Sequence, residues 1–138
     1  MAYVNDLVIS KRDAEALARL AAAGAEGLAD VMLEARFVAD HEAPADGVGL
    51  HSRVTYAEEH GAASRTVVLV APEDADAAIG RISVLSPIGL ALIGRRRGAL
   101  TEAVLPNGRR LSLRVLDVAR PRPAAARRGR AEDRSPAW

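Results

Sequence analysis

The sequence contains no cysteine, which excludes disulfide bonds and cysteine-ligated zinc sites. Aromatic residues make up only 3% of the chain, so the core must be built mainly from Val, Leu and Ile. No segment has the roughly 20 consecutive apolar residues that a membrane-spanning helix needs. The N-terminus also lacks a basic segment followed by a long apolar stretch, the pattern of a secretory signal. These absences favour a cytoplasmic protein without membrane contact.

Motifs of catalytic and cofactor sites are missing as well. His41, His51 and His60 do not have the spacing of metal ligands. The serines have no nucleophile-elbow surroundings, and there is no Walker A motif or dinucleotide glycine fingerprint. We therefore expect no metal site, no cofactor and no catalytic residue.

Lysine is also scarce, because every basic residue after Lys11 is arginine. Residues 1–80 contain six basic and fourteen acidic side chains, a net charge of −8. Residues 81–138 contain thirteen basic and four acidic side chains, a net charge of +9. This split favours two surfaces that face different partners, although an arginine bias from a high-GC genome explains the composition equally well.

The first 43 residues have helical periodicity. Ser10 followed by Asp13 predicts a helix start, because Ser10 can cap free backbone N–H groups. A second apolar stripe runs from Leu28 to Ala39, and glycines interrupt the pattern around the sequence AAGAEG. We predict a short antiparallel helical hairpin, a coiled coil, over residues 1–43.

Residues 41–49, with Pro44 and two glycines, are predicted to be a linker. Beyond it, alternation predicts a strand over 50–57, with Leu50, Ser52, Val54 and Tyr56 on one face, and a strand buried on both faces over 65–71. Further strands are predicted over 81–86, 99–105 and 109–118. Residues 121–138 have no periodicity and are predicted to form a disordered basic tail.

A short helix is predicted between the third and fourth of these strands. Ser86 is a suitable N-cap, Pro87 fits the first helical position, and Gly94 is a suitable C-cap. The predicted fold class is therefore α+β, with a helical hairpin preceding a sheet domain over residues 44–120.

Two segments of the sheet domain, GRISVLSPIGLALIGRRRG and LPNGRRLSLRVLDV, resemble the C-terminal domain of the Gre transcript-cleavage factors. With the shorter hairpin, the chain is most similar to the subgroup named regulator of nucleoside diphosphate kinase (Rnk). The resemblance implies an FKBP-like antiparallel sheet that wraps a short helix, preceded by an antiparallel coiled coil. It also implies that bacterial RNA polymerase is the partner, bound through Leu85, Ser86, Pro87 and Ile88.

The chain departs from the family at the hairpin tip, which is marked by Gly24, Glu26 and Asp30. The acidic tip motif of cleavage-competent factors is absent, although Glu26 and Asp30 are spaced to share a helical face. Leu85 also replaces an acidic residue that often precedes the Ser-Pro pair in that family.

Two arginine clusters have open interpretations. Arg95, Arg96 and Arg97 either contact an acidic polymerase surface or nucleic-acid phosphate, or form a solvated turn. The tail arginines, Arg127, Arg128 and Arg130, either bind nucleic acid weakly or are solvated.

The main hypothesis is a non-enzymatic regulator of transcription elongation that binds RNA polymerase at its secondary channel. The first alternative is a regulator of nucleoside diphosphate kinase or another metabolic enzyme. The second is a Gre-like transcript cleavage factor that uses Glu26 and Asp30. Prolyl isomerase activity is not expected, because Tyr56 is the only aromatic residue in the predicted sheet. A monomer is favoured, but the Ala-rich hairpin could also pair with itself.

Overall fold

The computed structural model describes residues 7–61 and 63–120. The predicted tail over residues 121–138 lies outside the described residues. The described elements, in chain order, are β1 (Val8–Ser10), α1 (Lys11–Ala22), α2 (Glu26–Glu34), β2 (Arg36–Val38), β3 (Arg53–Glu58), β4 (Ser64–Val70), β5 (Arg81–Ser83), α3 (Pro87–Leu92), β6 (Leu100–Val104) and β7 (Arg110–Ala119).

The main sheet has five strands in the order β5-β4-β3-β7-β6. Its neighbours are antiparallel except for β4 and β5, which pair in parallel from Val68 to Val70. The α+β class is confirmed, but the expectation of an entirely antiparallel sheet is wrong at this edge. The reason is the connection over 71–80, whose two 3₁₀ turns carry the chain back before β5 begins.

The helix α3 packs against one face of this sheet. Strands β3 and β7 alternate as predicted, since Val54, Tyr56, Leu113 and Val115 are all buried. Gly94, just beyond α3, has a φ of +81°, a conformation that glycine adopts without strain. The sheet and α3 therefore share one core, to which Ala91, Leu92 and Ile93 contribute.

The helix α1 begins as predicted, because the Ser10 side chain accepts a hydrogen bond from the N–H of Asp13. The predicted extent of the second helix is wrong. Helix α2 ends at Glu34, and residues 36–38 form β2, which pairs in parallel with β1. The backbone turns to an extended conformation at Ala35, and the N–H of Arg36 then donates to the Leu7 carbonyl at 2.8 Å. Strand pairing thus replaces the last helical turn.

The two helices also contribute to the main core. Leu17 of α1 and Leu28 of α2 are fully buried in the same cluster as Val54 and Leu113. The coiled-coil pairing and the boundary at residue 43 stay predictions. Along the described ranges no helix is long and apolar enough to cross a membrane.

Two further expectations need correction. The segment over 41–49 is more than a linker, because Val48 is 3% exposed and exchanges backbone hydrogen bonds with Gly94 and Arg95. The strand β4 is not buried on both faces throughout. Ser64, Arg65 and Thr66 are exposed, because β5 extends only beside its second half.

Candidate docking site

The turn between β5 and α3 is held by hydrogen bonds among its own residues. The Ser86 Oγ accepts from the Gly89 N–H at 3.1 Å and donates to the Ser83 carbonyl at 2.7 Å. The Ser83 Oγ in turn accepts from the Leu85 N–H at 2.9 Å. Pro87 fixes φ at the first position of α3. The turn is therefore rigid before any partner arrives.

Gly89 allows this turn to lie close to α3. A Cβ at this position would overlap the Ser83 carbonyl oxygen and lie 2.9 Å from the Val84 Cα. Both neighbours are backbone atoms, so they cannot move aside as a flexible side chain would. The close contact of the helix with the end of β5 thus requires glycine, a requirement that sequence reasoning missed.

The four predicted docking residues, Leu85, Ser86, Pro87 and Ile88, are all half-buried. Leu85 and Ile88 pack partly against the core and keep part of their surface outward. The turn therefore offers apolar surface to a partner without being a loose loop.

An open groove of about 600 Å³ lies beside the turn. Pro87 and Ile88 form one side of it, and the other lining residues come from distant parts of the chain. Those that sequence reasoning did not assign to the site are Tyr56, Arg65, Thr66, Val67, Ala77, Gly80, Ile82 and Leu105. Tyr56 had a signal in the sequence, because the alternation along β3 placed it on the same face as Val54.

The groove runs along an open part of strand β4. The parallel partner β5 contacts only Val68, Leu69 and Val70. Within the described residues, no strand therefore pairs with the outer edge of β4 from Ser64 to Val67. This gap in the sheet is what leaves room for the groove.

Tyr56 and Arg65 set the electrostatics of the groove. They are opposite each other in the β3–β4 register. Burial raises the pKa of the Tyr56 phenol, and the positive charge of Arg65 partly opposes that rise. The phenol is thus neutral at physiological pH, and the groove is an apolar surface with a cation at one side.

The predicted tip residues lie in the helical part of the molecule. Gly24, in the connection between α1 and α2, has a φ of +108°, and Asp30 is exposed on α2. Glu26 is the first residue of α2. The next residue, Gly27, lies so close to α3 that an added Cβ would be 2.8 Å from the Leu90 Cδ1. The start of α2 is therefore packed on the helix of the sheet domain.

The arginine triplet does not form one uniform basic patch. Arg96 Nε donates to Asp46 Oδ1 at 3.0 Å, and the backbones of Arg95 and Val48 are hydrogen bonded. Burial lowers the pKa of the Arg95 guanidinium, an effect that the charge of Glu34 opposes. Arg97 is the exposed member. Two of the three arginines thus act within the fold.

Neither pocket geometry nor side-chain clustering indicates a metal centre in the part of the chain that the structure describes. There, no three His, Asp or Glu side chains come together in a way that could hold an ion. The candidate site consists of the turn and the groove beside it.

The family model "Transcription elongation factor, GreA/GreB, C-term" matches residues 43–120, more than half of the chain. The match includes the turn, the groove and all of the main sheet, and it excludes α1 and α2. The Rnk subgroup is not distinguished by this match and stays a prediction.

Curated relatives of the chain are named transcription elongation factor GreA, in agreement with the family model. The chain is 37% identical over 79 residues to the transcription elongation factor GreA of Christiangramia forsetii, and 38% identical over 73 residues to that of Azorhizobium caulinodans. These alignments cover 57% and 53% of this chain. They cover 50% and 46% of the relatives, so the chain spans about half the length of the curated relatives it matches.

A solved structure extends the similarity to the helices. The prokaryotic transcription elongation factor GreA/GreB from Nitrosomonas europaea superposes with a TM-score of 0.64 at 33% identity. The superposition covers 83% of this chain and 98% of that one. From the family match and this superposition, the chain belongs to the GreA/GreB transcription elongation factor family.

Proposed function

We propose that this protein binds bacterial RNA polymerase through the turn Leu85–Ile88 and regulates elongation at the secondary channel, without transcript-cleavage chemistry. The observation that carries the proposal is the preorganised turn beside an open apolar groove. Family membership supports it, because the relatives are named as transcription elongation factors.

The energetics of the turn fit a docking anchor. Its backbone is held by the Ser83 and Ser86 hydrogen bonds, so little backbone conformational entropy is lost on binding. Ile88 and Pro87 border a groove from which a partner side chain could displace water. A few such apolar anchors commonly carry most of the affinity of an interface.

One observation favours a role without cleavage. The start of α2 packs against Leu90 of α3, whereas the resemblance to cleavage factors implies acidic residues on a coiled-coil tip that points into the channel.

A cleavage assay tests that part of the proposal. Stalled polymerase with labelled RNA is given Mg²⁺ and the purified protein, and RNA length is followed over time. We expect no shortening above the level of polymerase alone. Shortening that the double variant Glu26→Ala, Asp30→Ala abolishes would overturn the non-cleavage role and support the alternative mechanism.

An enzyme assay tests the remaining alternative. Nucleoside diphosphate kinase activity is measured with and without a molar excess of the protein. We expect the same rate in both samples. A change in rate that the docking variant Pro87→Ala, Ile88→Asp does not affect would favour regulation of a metabolic enzyme.

A further inference from the structure

Asp13, in the first turn of α1, is a buried carboxylate. The residue is only 9% exposed. Its Oδ2 accepts a hydrogen bond from the Leu50 N–H at 3.3 Å, across a separation of 37 residues. The helix α1 is thereby joined to the segment that leads into β3.

Gly49 makes room for this carboxylate. A Cβ on Gly49 would overlap Asp13 Oδ2, and it would lie 3.8 Å from Nη2 of Arg120. Arg120 also donates from Nη1 to the Pro44 carbonyl at 3.3 Å. Three segments therefore meet here: the start of α1, the segment over 44–50, and the end of β7.

Three charged or titratable side chains from different parts of the chain act on Asp13. Arg120 and His51 attract the ionised carboxylate, whereas Asp40 repels it. A buried charge with a partner often adds little net stability compared with an apolar side chain. Such groups instead fix one geometry, because alternative arrangements leave the charge or the N–H donor without a partner.

We propose that Asp13 is a positioning residue that holds α1 in one orientation on the sheet. Because α2 follows α1 through a connection of three residues, 23–25, the same contact sets where α2 and Gly24 lie relative to the docking turn. The functional consequence depends on the proposed function: a sheet docked on polymerase would then present the helices in a single direction.

The first experiment is a double-mutant cycle with Gly49→Ala, Asp13→Ala and their combination, measured by urea unfolding. Gly49→Ala should increase the unfolding equilibrium constant about tenfold in the wild type and much less in the Asp13→Ala background, where the overlap is gone. Gly61→Ala is the matched control, because a Cβ there makes only an ordinary contact with Glu58 at 3.4 Å. Additive effects of the two substitutions would overturn the proposal.

The second experiment separates positioning from mere packing. Hydrogen exchange at the Leu50 amide should be at least about tenfold faster in Asp13→Ala than in the wild type, with Val115 in β7 unchanged. Asp13→Asn should restore most of the protection, because its amide oxygen can accept the same hydrogen bond. Equal exchange at Leu50 in all three proteins would contradict the proposal. If Asp13→Ala does not fold, Asp13→Asn and Gly49→Ala give the same comparison.

The third experiment measures the orientation itself and needs no polymerase. Since the chain has no cysteine, spin labels can be attached at Ala23→Cys and Leu116→Cys, both of which are exposed positions. The distance distribution between the labels should be narrow in the wild type and broad in Asp13→Ala. A narrow, unchanged distribution would overturn the proposal. Broadening in a protein that fails to bind polymerase would leave the positioning role intact and contradict only the proposed function.

Discussion

Gly89 is the residue whose replacement should damage the docking site most directly. Gly89→Ala places a methyl group against the Ser83 carbonyl and the Val84 backbone, neither of which can rotate away. We expect a loss of about 1–3 kcal/mol in the free energy of unfolding, the usual cost of overpacking. Urea unfolding measures this loss of stability. Gly61→Ala is the control, because the same substitution there makes only an ordinary contact with Glu58. Equal stability of the two variants would mean that α3 does not lie this close to β5.

Asp13 gives the clearest pH dependence. Burial raises the pKa of its carboxyl above the ordinary value of 3.8, with the Leu50 N–H and Arg120 opposing the rise. The folded state therefore binds the proton more tightly than the unfolded state. The contribution of Asp13 to stability is complete below pH 3.8 and is lost as pH rises through its folded-state pKa.

The stability of Asp13→Asn relative to the wild type should therefore increase as pH rises above 3.8 and through the folded-state pKa of Asp13. Urea unfolding at several pH values measures the difference. Glu15→Gln, at an exposed position on the same helix, is the control variant for the loss of a carboxylate. A difference between Asp13→Asn and the wild type that is constant across this range would contradict a raised pKa.

For single residues, the sequence predicted those features that depend only on adjacent residues in the chain. The Ser86 cap and Pro87 follow from local backbone rules and have their predicted positions, whereas the C-cap of α3 is Ile93 and the predicted C-cap, Gly94, is the next residue. Gly89 and the buried state of Asp13 depend on segments that approach from elsewhere in the chain. Nothing in the residues beside them signals those contacts.

Among the helices and strands, α3 depends most on a single side chain, that of its N-cap residue Ser86. Ser86→Ala removes the acceptor for the Gly89 N–H and the donor to the Ser83 carbonyl. We expect a loss of about 1 kcal/mol in the free energy of unfolding, typical of a lost N-cap. Thermal or urea unfolding measures it, with the exposed Ser64→Ala as control. If both variants lose the same stability, the cap does not hold the turn.

The elements that the sequence misjudged are those decided by pairing over a distance. Residues 36–38 continue the helical stripe, yet they pair with β1 because the chain from Leu7 to Ser10 lies beside them. Likewise, the direction of β5 is set by the turns over 71–80, which alternation of apolar residues does not report. Alternation did identify β3 and β7, where one face is buried and the pattern is local.

For the whole molecule, the groove could not be predicted from the sequence pattern, because its residues come from separate segments of the chain. The Ser-Pro turn was found from sequence, but its neighbours Val67, Ile82 and Leu105 come from three other segments. They meet because β5 covers only part of β4, which leaves an edge open beside α3. The turn supplies the rigid part of the docking surface, and the fold supplies the groove next to it.

The central claim is that this surface binds bacterial RNA polymerase. The most direct measurement is the affinity of purified core polymerase for the wild type and for the variant Pro87→Ala, Ile88→Asp. Leu33→Asp is the control, because Leu33 is an 84% exposed leucine on α2, outside the turn and the groove. Circular dichroism confirms that each variant is folded.

We expect the wild type and Leu33→Asp to bind with similar affinity and the double variant to bind at least about tenfold more weakly. Polymerase that does not bind the wild type, or that binds the folded double variant equally well, would contradict docking through this surface.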